Sequence, residues 1–275
     1  MSDPAPTEAD VFAPWLKRWR LTPDGAAFSS LAGRLLPVRQ AGAAAILKVS
    51  QSEEEIRGGA LMEWWGGDGA ARVLAREGDA LLLERATGAR SLAEMARGGE
   101  DDAATRILCA AGDRLHAVRD APPPATLVPP QTWFRQLWPT AEVHGGFYAK
   151  SAAAARALLA EPREVGVVHG DLHHGNVLDF GPRGWLAIDP KGVLGERSYD
   201  YPHIIMNPDV ETATALGRLA RRVAVISQAA HVDPRRLLQW IVAYAGLSAS
   251  WTLSDGDDPW RALAVGEIAA AELGV

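Results

Sequence analysis

The chain has 275 residues, 48% of them hydrophobic and 23% charged, with 34 Asp and Glu against 28 Lys and Arg for a formal net charge of -6. That composition is ordinary for a soluble globular protein and leaves room for a sizeable core, in one large domain or two lobes. The acidic balance, without any Lys/Arg run, argues against a nucleic-acid binder and is compatible with a cationic ligand.

The opening MSDPAPTEAD is polar and acidic with no apolar signal core, so a cytoplasmic location is expected. After this frayed start a helix holds Phe12, Trp15, Leu16 and Trp19. From Trp19 to Ser50, turn signals at Pro23-Asp24-Gly25 and Gln40-Ala41-Gly42 separate short apolar runs, the pattern of an antiparallel sheet. Lys48 interrupts one such run, Ala45-Ile46-Leu47-Lys48-Val49. A lysine there is either exposed at a sheet edge or kept for function. Ser52-Glu53-Glu54-Glu55 opens a helix that continues through Leu61, Met62 and Trp65. Acidic residues in a first turn also suit the helix dipole. Gly66-Gly67-Asp68-Gly69 turns into two more strands, Ala71 to Leu74 and Ala80 to Leu83. Gly88 and Gly98-Gly99 break the following stretch, and a lobe boundary is placed there, with residues 1–86 on one side and 87–275 on the other.

A helix is expected from Asp101, with Ile107, Leu108, Ala111, Leu115 and Val118 on one face. Cys109, the single cysteine, lies in this pattern as a buried, inert thiol and permits no intrachain disulfide. Pro122-Pro123-Pro124 and Pro129-Pro130 make a stiff connector. Residues 131–160 read as two helices, the second starting near Ser151. Three more helices are expected at about 210–230, 234–253 and 260–273. Leu237 to Leu253 is too short and too polar for a membrane span, so it reads as a core helix. Trp240, Trp251 and Trp260 read as packing residues. The acidic loop Ser254-Asp255-Gly256-Asp257-Asp258-Pro259 follows.

The stretch from Val165 to Tyr201 carries the chemistry. Val165 to Val168 is a short buried strand, His169-Gly170-Asp171 opens a polar loop that closes at Asn176, and two further short strands flank Gly181-Pro182-Arg183-Gly184. The hairpin sets Asp171, Asn176 and Asp189 on adjacent loop edges. These residue types suit phosphoryl transfer, in which catalysis reduces to positioning and charge stabilisation. Asp171 can orient an attacking hydroxyl or accept its proton. Asn176 and Asp189 are hard oxygen donors of the kind Mg²⁺ prefers.

HGDLHHGN followed by AIDPKG resembles the signature of the aminoglycoside phosphotransferases, which share the protein-kinase fold. The longer wording through GVLGERSYDY, with WWGGDGAARV and LLLERA upstream, is similar to the streptomycin 6-phosphotransferases, grouped with hydroxyurea phosphotransferases. The similarity runs from about Trp19 to the C-terminal helices. It implies an α+β, kinase-like fold with an antiparallel-sheet N-terminal lobe and a mainly helical C-terminal lobe. It implies ATP and Mg²⁺ as cofactors and streptomycin as acceptor at its 6-hydroxyl, hence antibiotic resistance. By this resemblance Asp171 is the base, Asn176 and Asp189 hold Mg²⁺, and Lys48 holds phosphates; such a lysine needs a carboxylate partner on the following helix, for which Glu55 is the candidate and Glu63 the second. Backbone groups of Glu84 and Ala86 would meet the adenine. His169 would brace the loop, and Asp200 would support it or cap a helix. A loop over the phosphates, which lacks GxGxxG, would fall at Asp24 to Ser30. Asp179-Phe180-Gly181 spells the kinase metal triplet but follows Asn176 too closely, so Asp189 is preferred.

Asp255, Asp257 and Asp258 are either a solvated loop or partners for the guanidinium groups of streptomycin. Lys191 reads as a solvated loop lysine. A monomer acting on a small molecule is expected, without membrane or nucleic acid. Competing readings are a hydroxyurea or metabolite kinase, a non-catalytic nucleotide-binding module, and a metal-dependent hydrolase built on His169, Asp171, His173 and His174.

Overall fold

Period-two alternation of apolar side chains builds the N-terminal lobe. The structure, a computed structural model, describes residues 8–30 and 33–275. The frayed start expected at residues 1–7 lies outside them. Helix α1 (Glu8–Arg18) leads into β1 (Leu21–Pro23), β2 (Phe28–Ser30), β3 (Gly33–Gln40) and β4 (Ala43–Val49). Then come α2 (Glu53–Trp65), β5 (Val73–Glu77) and β6 (Ala80–Glu84). The strands form one six-stranded antiparallel sheet in the order β1-β3-β4-β6-β5, with β2 on β3. β4 is an inner strand, with Lys48 opposite Leu35 on one side and Leu81 on the other. An edge position for Lys48 is thereby excluded. Ala45, Leu47 and Val49 pack into a small core with Phe12, Leu36, Val38 and Leu82, which turns Ile46 and Lys48 to the opposite face.

The C-terminal lobe begins with α3 (Leu92–Arg97), α4 (Asp101–His116), α5 (Gln131–Phe134), α6 (Leu137–His144) and α7 (Gly146–Ala160). Four short strands follow, β7 (Val165–Val168), β8 (Val177–Asp179), β9 (Trp185–Ala187) and β10 (Val193–Glu196). The chain ends with α8 (Tyr201–Ile205), α9 (Val210–Thr214), α10 (Arg218–Ala230), α11 (Pro234–Ser254) and α12 (Trp260–Leu273). The main core joins Leu61, Met62 and Trp65 of α2 and Leu81 and Leu83 of β6 to Leu108, Leu172, Leu186 and Trp240. Among the described residues, no helix is long and apolar enough to cross a membrane.

Several boundaries differ from the sequence reading. α4 stops at His116, and Val118 is fully exposed instead of sharing its apolar face. The Arg119 guanidinium accounts for the stop, because it takes the carbonyls of Arg114, Leu115 and Ala117. Residues 131–160 form three helices, and the last starts at Gly146, where Phe147 and Tyr148 are already buried. The helix expected at 210–230 is two, interrupted at Gly217 with φ 72°. Val193–Glu196 of the GVLGERSYDY stretch form β10, which pairs with β7. Cys109 is buried, and burial pushes its thiol up to about 12.

Candidate active site

The polar loop after β7 is held from behind by a buried anion. Asp200, fully buried, accepts the N–H groups of His169 at 2.9 Å and Gly170 at 2.7 Å. His116 Nε2 stands 2.7 Å from the same carboxylate. Burial alone would raise the Asp200 pKa, but His116 and the backbone donors outweigh it and hold the carboxyl below its usual range. The competing account of Asp200 as a helix cap fails, since its side chain makes no cap bond to α8. His116, the last residue of α4, belongs to this brace. Asp200→Ala would strand two buried N–H groups, so we expect a stability loss of about 3–5 kcal/mol, read as a lower denaturant midpoint.

His169 ties the loop to the next one. Its Nε2 lies 2.8 Å from the Ile188 carbonyl and its Nδ1 accepts the Asp171 N–H at 3.2 Å, so the proton sits on Nε2. Burial lowers its pKa to about 4, which keeps the ring neutral in this bracing arrangement. Lys191 N donates to the His169 carbonyl at 2.7 Å, and Ile188 N to that of Asn176 at 2.9 Å. Gly170, at φ 82°, has no room for a side chain, since a Cβ would meet Val193 Cγ2 at 2.9 Å.

Asp171 is gripped on both carboxylate oxygens. Asn176 Nδ2 donates to Oδ2 at 3.0 Å and to the Asp171 carbonyl at 2.9 Å. Oδ1 faces His203 Nδ1 at 3.3 Å and His173 Nε2 at 3.6 Å. Burial works to raise the Asp171 pKa, and the two imidazoles outweigh it, holding the carboxyl well below the usual range.

Lys48 is buried and bonds both Glu55 and, at 2.8 Å, Asp189 Oδ1. Close packing makes this possible. A Cβ on Gly58 would lie 2.2 Å from the Pro190 carbonyl oxygen, so only glycine lets α2 press Glu55 against the Asp189 loop. Glu63, the second candidate partner, pairs instead with Arg76 at 2.7 Å. Lys191 extends the row, 3.2 Å from Glu55 and 2.8 Å from Glu54. Burial would lower the Lys191 pKa, but those carboxylates raise it overall, so it is a paired cation and not a solvated loop lysine. Asp179 serves structure, with Oδ2 taking Arg90 and Oδ1 taking Gly181 N–H.

Two cavities meet at this cluster. One, of about 370 Å³, has apolar walls including Leu35, Ile46, Leu83 and Leu178, with Glu84 and Ala86 along it. Lys48, Asn176 and Asp189 line it too, as do Phe28 and Ser30 of β2. Asp24, expected in a loop over phosphates, pairs with Arg39 and Arg85. The other cavity, of about 520 Å³, is lined by Asp171, Lys191, Glu54 and Glu55 and by Trp133, Tyr199, His203, Tyr244, Trp251 and Asp255. Asp258 lines a third space of about 330 Å³ that shares Tyr244, and Asp257 lines none of the three.

The aromatic wall escaped sequence reading, although a signal existed. Tyr244, Ser248 and Trp251 recur at helical spacing along one face of α11, and Asp255 follows in step at its C-cap. Trp251, expected as a packing residue, is partly buried and packs against the main core while also lining the cavity, whereas Trp240 is core and Trp260 is half exposed.

An apolar slot lined by Lys48 and Asn176, with Glu55 bonded to the one and a braced aspartate to the other, belongs to a two-lobed fold of the protein-kinase type. Solved structures agree on the fold. The aminoglycoside phosphotransferase APH(4)-Ia, as a thermostable mutant with ADP and hygromycin B, matches with a TM-score of 0.69 at 14% identity over 96% of this chain and 99% of that one. A choline/ethanolamine kinase family protein from Mesorhizobium loti gives a TM-score of 0.66 at 16% identity, over 96% and 92%.

The chain belongs to the aminoglycoside/hydroxyurea antibiotic resistance kinase family, whose model matches residues 18–256. It is 50% identical over 246 residues to a streptomycin 3″-kinase of Klebsiella pneumoniae, covering 88% of this chain and 92% of that one. It is 32% identical over 281 residues to a streptomycin 6-kinase of Streptomyces griseus, covering 93% and 85%.

Proposed function

We propose that the chain transfers the γ-phosphoryl group of ATP to a hydroxyl of streptomycin. The observation that carries this reading is Asp171, bonded to Asn176 at the junction of the apolar slot and the acidic, aromatic cavity. The adenine lies between the apolar walls, with the backbone of Glu84 and Ala86 along its edge. Lys48, oriented by Glu55, holds phosphate oxygens. Asp171 orients the acceptor hydroxyl and takes its proton. Asn176 and Asp189 fit Mg²⁺. The Asn176 amide nitrogen is committed to Asp171, which leaves its oxygen as donor, and Asp189 keeps Oδ2 beyond the oxygen that Lys48 holds. When bound, the ion would neutralise charge on the phosphates. His169 and Asp200 hold the loop. The protein is read as a cytoplasmic monomer with its lobe boundary after Ala86.

The acceptor position moves with the relatives. The sequence reading took the 6-hydroxyl, whereas the 50% identical relative is a 3″-kinase and the relatives named 6-kinases stand at 32% and 31%. We therefore propose the 3″-hydroxyl. With MgATP and streptomycin, ADP should accumulate, and phosphorus–proton NMR of the product should place phosphate on the N-methylglucosamine ring. Phosphate on the streptidine ring would restore the 6-hydroxyl. ADP release with hydroxyurea alone would change the acceptor, and none with any acceptor would leave a nucleotide-binding module.

A further inference from the structure

We infer that Trp133, Tyr244 and Trp251 form a subsite for an organic cation carried beside the accepting hydroxyl, with Asp255 at its rim. The inference rests on the proposed function and deepens it. The Trp251 ring stands near-perpendicular to both neighbours, 6.0 Å and 80° from Trp133 and 6.3 Å and 77° from Tyr244. The Tyr244 ring also lies 4.1 Å from that of His203, and a ring face not covered by a neighbour attracts a cation within about 6 Å of its centroid.

The rest of the molecule shows what these rings lack. Arg90 lies 4.9 Å over Trp185, Arg119 5.1 Å over Trp64 and Arg156 5.1 Å over Trp138. Among the described residues, no such contact is made to Trp133, Tyr244 or Trp251. Yet the charge around them calls for a cation. In the same cavity Glu55 is paired with Lys48 and Lys191, Glu54 with Lys191, and Asp171 faces His173 and His203, which leaves Asp255 as the lining carboxylate with no cation beside it among the described residues. A guanidinium offers the better match, a planar, delocalised charge with weakly hydrated faces, while a methylammonium is a more compact and more strongly hydrated charge.

The test compares Trp251→Leu with Trp251→Phe, which keeps a ring face. Trp251→Leu should raise the KM for streptomycin about 5- to 30-fold while leaving the KM for ATP unchanged, and Trp251→Phe should recover most of the loss. Methylguanidinium or methylammonium should inhibit competitively with streptomycin, and the one that does so more strongly identifies the cation. That inhibition should vanish in Trp251→Leu. A streptomycin KM unchanged in Trp251→Leu, or raised equally in Trp251→Phe, would overturn the subsite. If the parent protein turns over no acceptor, the proposed function fails separately. Calorimetric binding of streptomycin to the MgADP complex then reads the subsite by the same comparison of variants.

Discussion

Replacing Asp171 with Asn should lower kcat by about two to four orders of magnitude, the scale set by a positioned general base. The substitution is nearly isosteric, and Asn176 can still donate to the remaining side-chain oxygen. The brace from Asp200 through His169 and Gly170 is backbone-directed and does not involve the Asp171 carboxylate. Folding and the KM for ATP should therefore change little, which separates loss of the base from collapse of the loop. His173 and His203 hold the Asp171 carboxyl well below its usual range. A depressed carboxyl stays ionised as pH falls toward the ordinary carboxylate range, so no acid limb of kcat in that range should belong to Asp171. A kcat near the parent value in Asp171→Asn would remove its role as base.

Lys48→Ala should cost at least about a hundredfold in kcat/KM for ATP, comparable to removing one preorganised charged donor from a site of phosphoryl transfer. The structural cost is smaller than for an isolated buried pair, where loss of one partner amounts to about 3–5 kcal/mol. Glu55 keeps Lys191 at 3.2 Å, so it is not left without a counter-charge. Activity should thus fall much further than the melting midpoint, and the pair of measurements checks it. A variant that loses stability and activity in step would make Lys48 a structural cation only.

How much of this was legible follows sequence distance. His169, Asp171, Asn176 and Asp189 lie within one short stretch, so spacing alone brought them to neighbouring loop edges. Lys48 could be singled out because a charge inside an apolar run is costly unless it is partnered. Its inner-strand position was not legible, since the β4–β6 pairing spans residues 43 to 84. Lys191 looked like any loop lysine until α2 brought Glu54 and Glu55 to it. The acceptor-side wall draws on α5, the turn before α8, α8 itself and α11. α11 is apolar around most of its circumference, with Leu237, Trp240, Ile241 and Leu247 all buried, which hid the one face turned to the cavity. The helix interruption at Gly217 was missed because the flanking alanines and leucines favour continuing the helix.

The main core does not respect the division into lobes. Leu61, Met62 and Trp65, and with them Leu81 and Leu83, are buried with the C-terminal helices, while the small second core lies on the other side of the sheet. The lobes are thus parts of one cooperative folding unit, and a chain cut after residue 86 would expose the apolar face of α2 on one fragment and its counterpart on the other. Glu55 rides on that same helix. The lysine–glutamate pair is therefore built by the folding of the whole chain, and the geometry of this pair and global stability are inherited together.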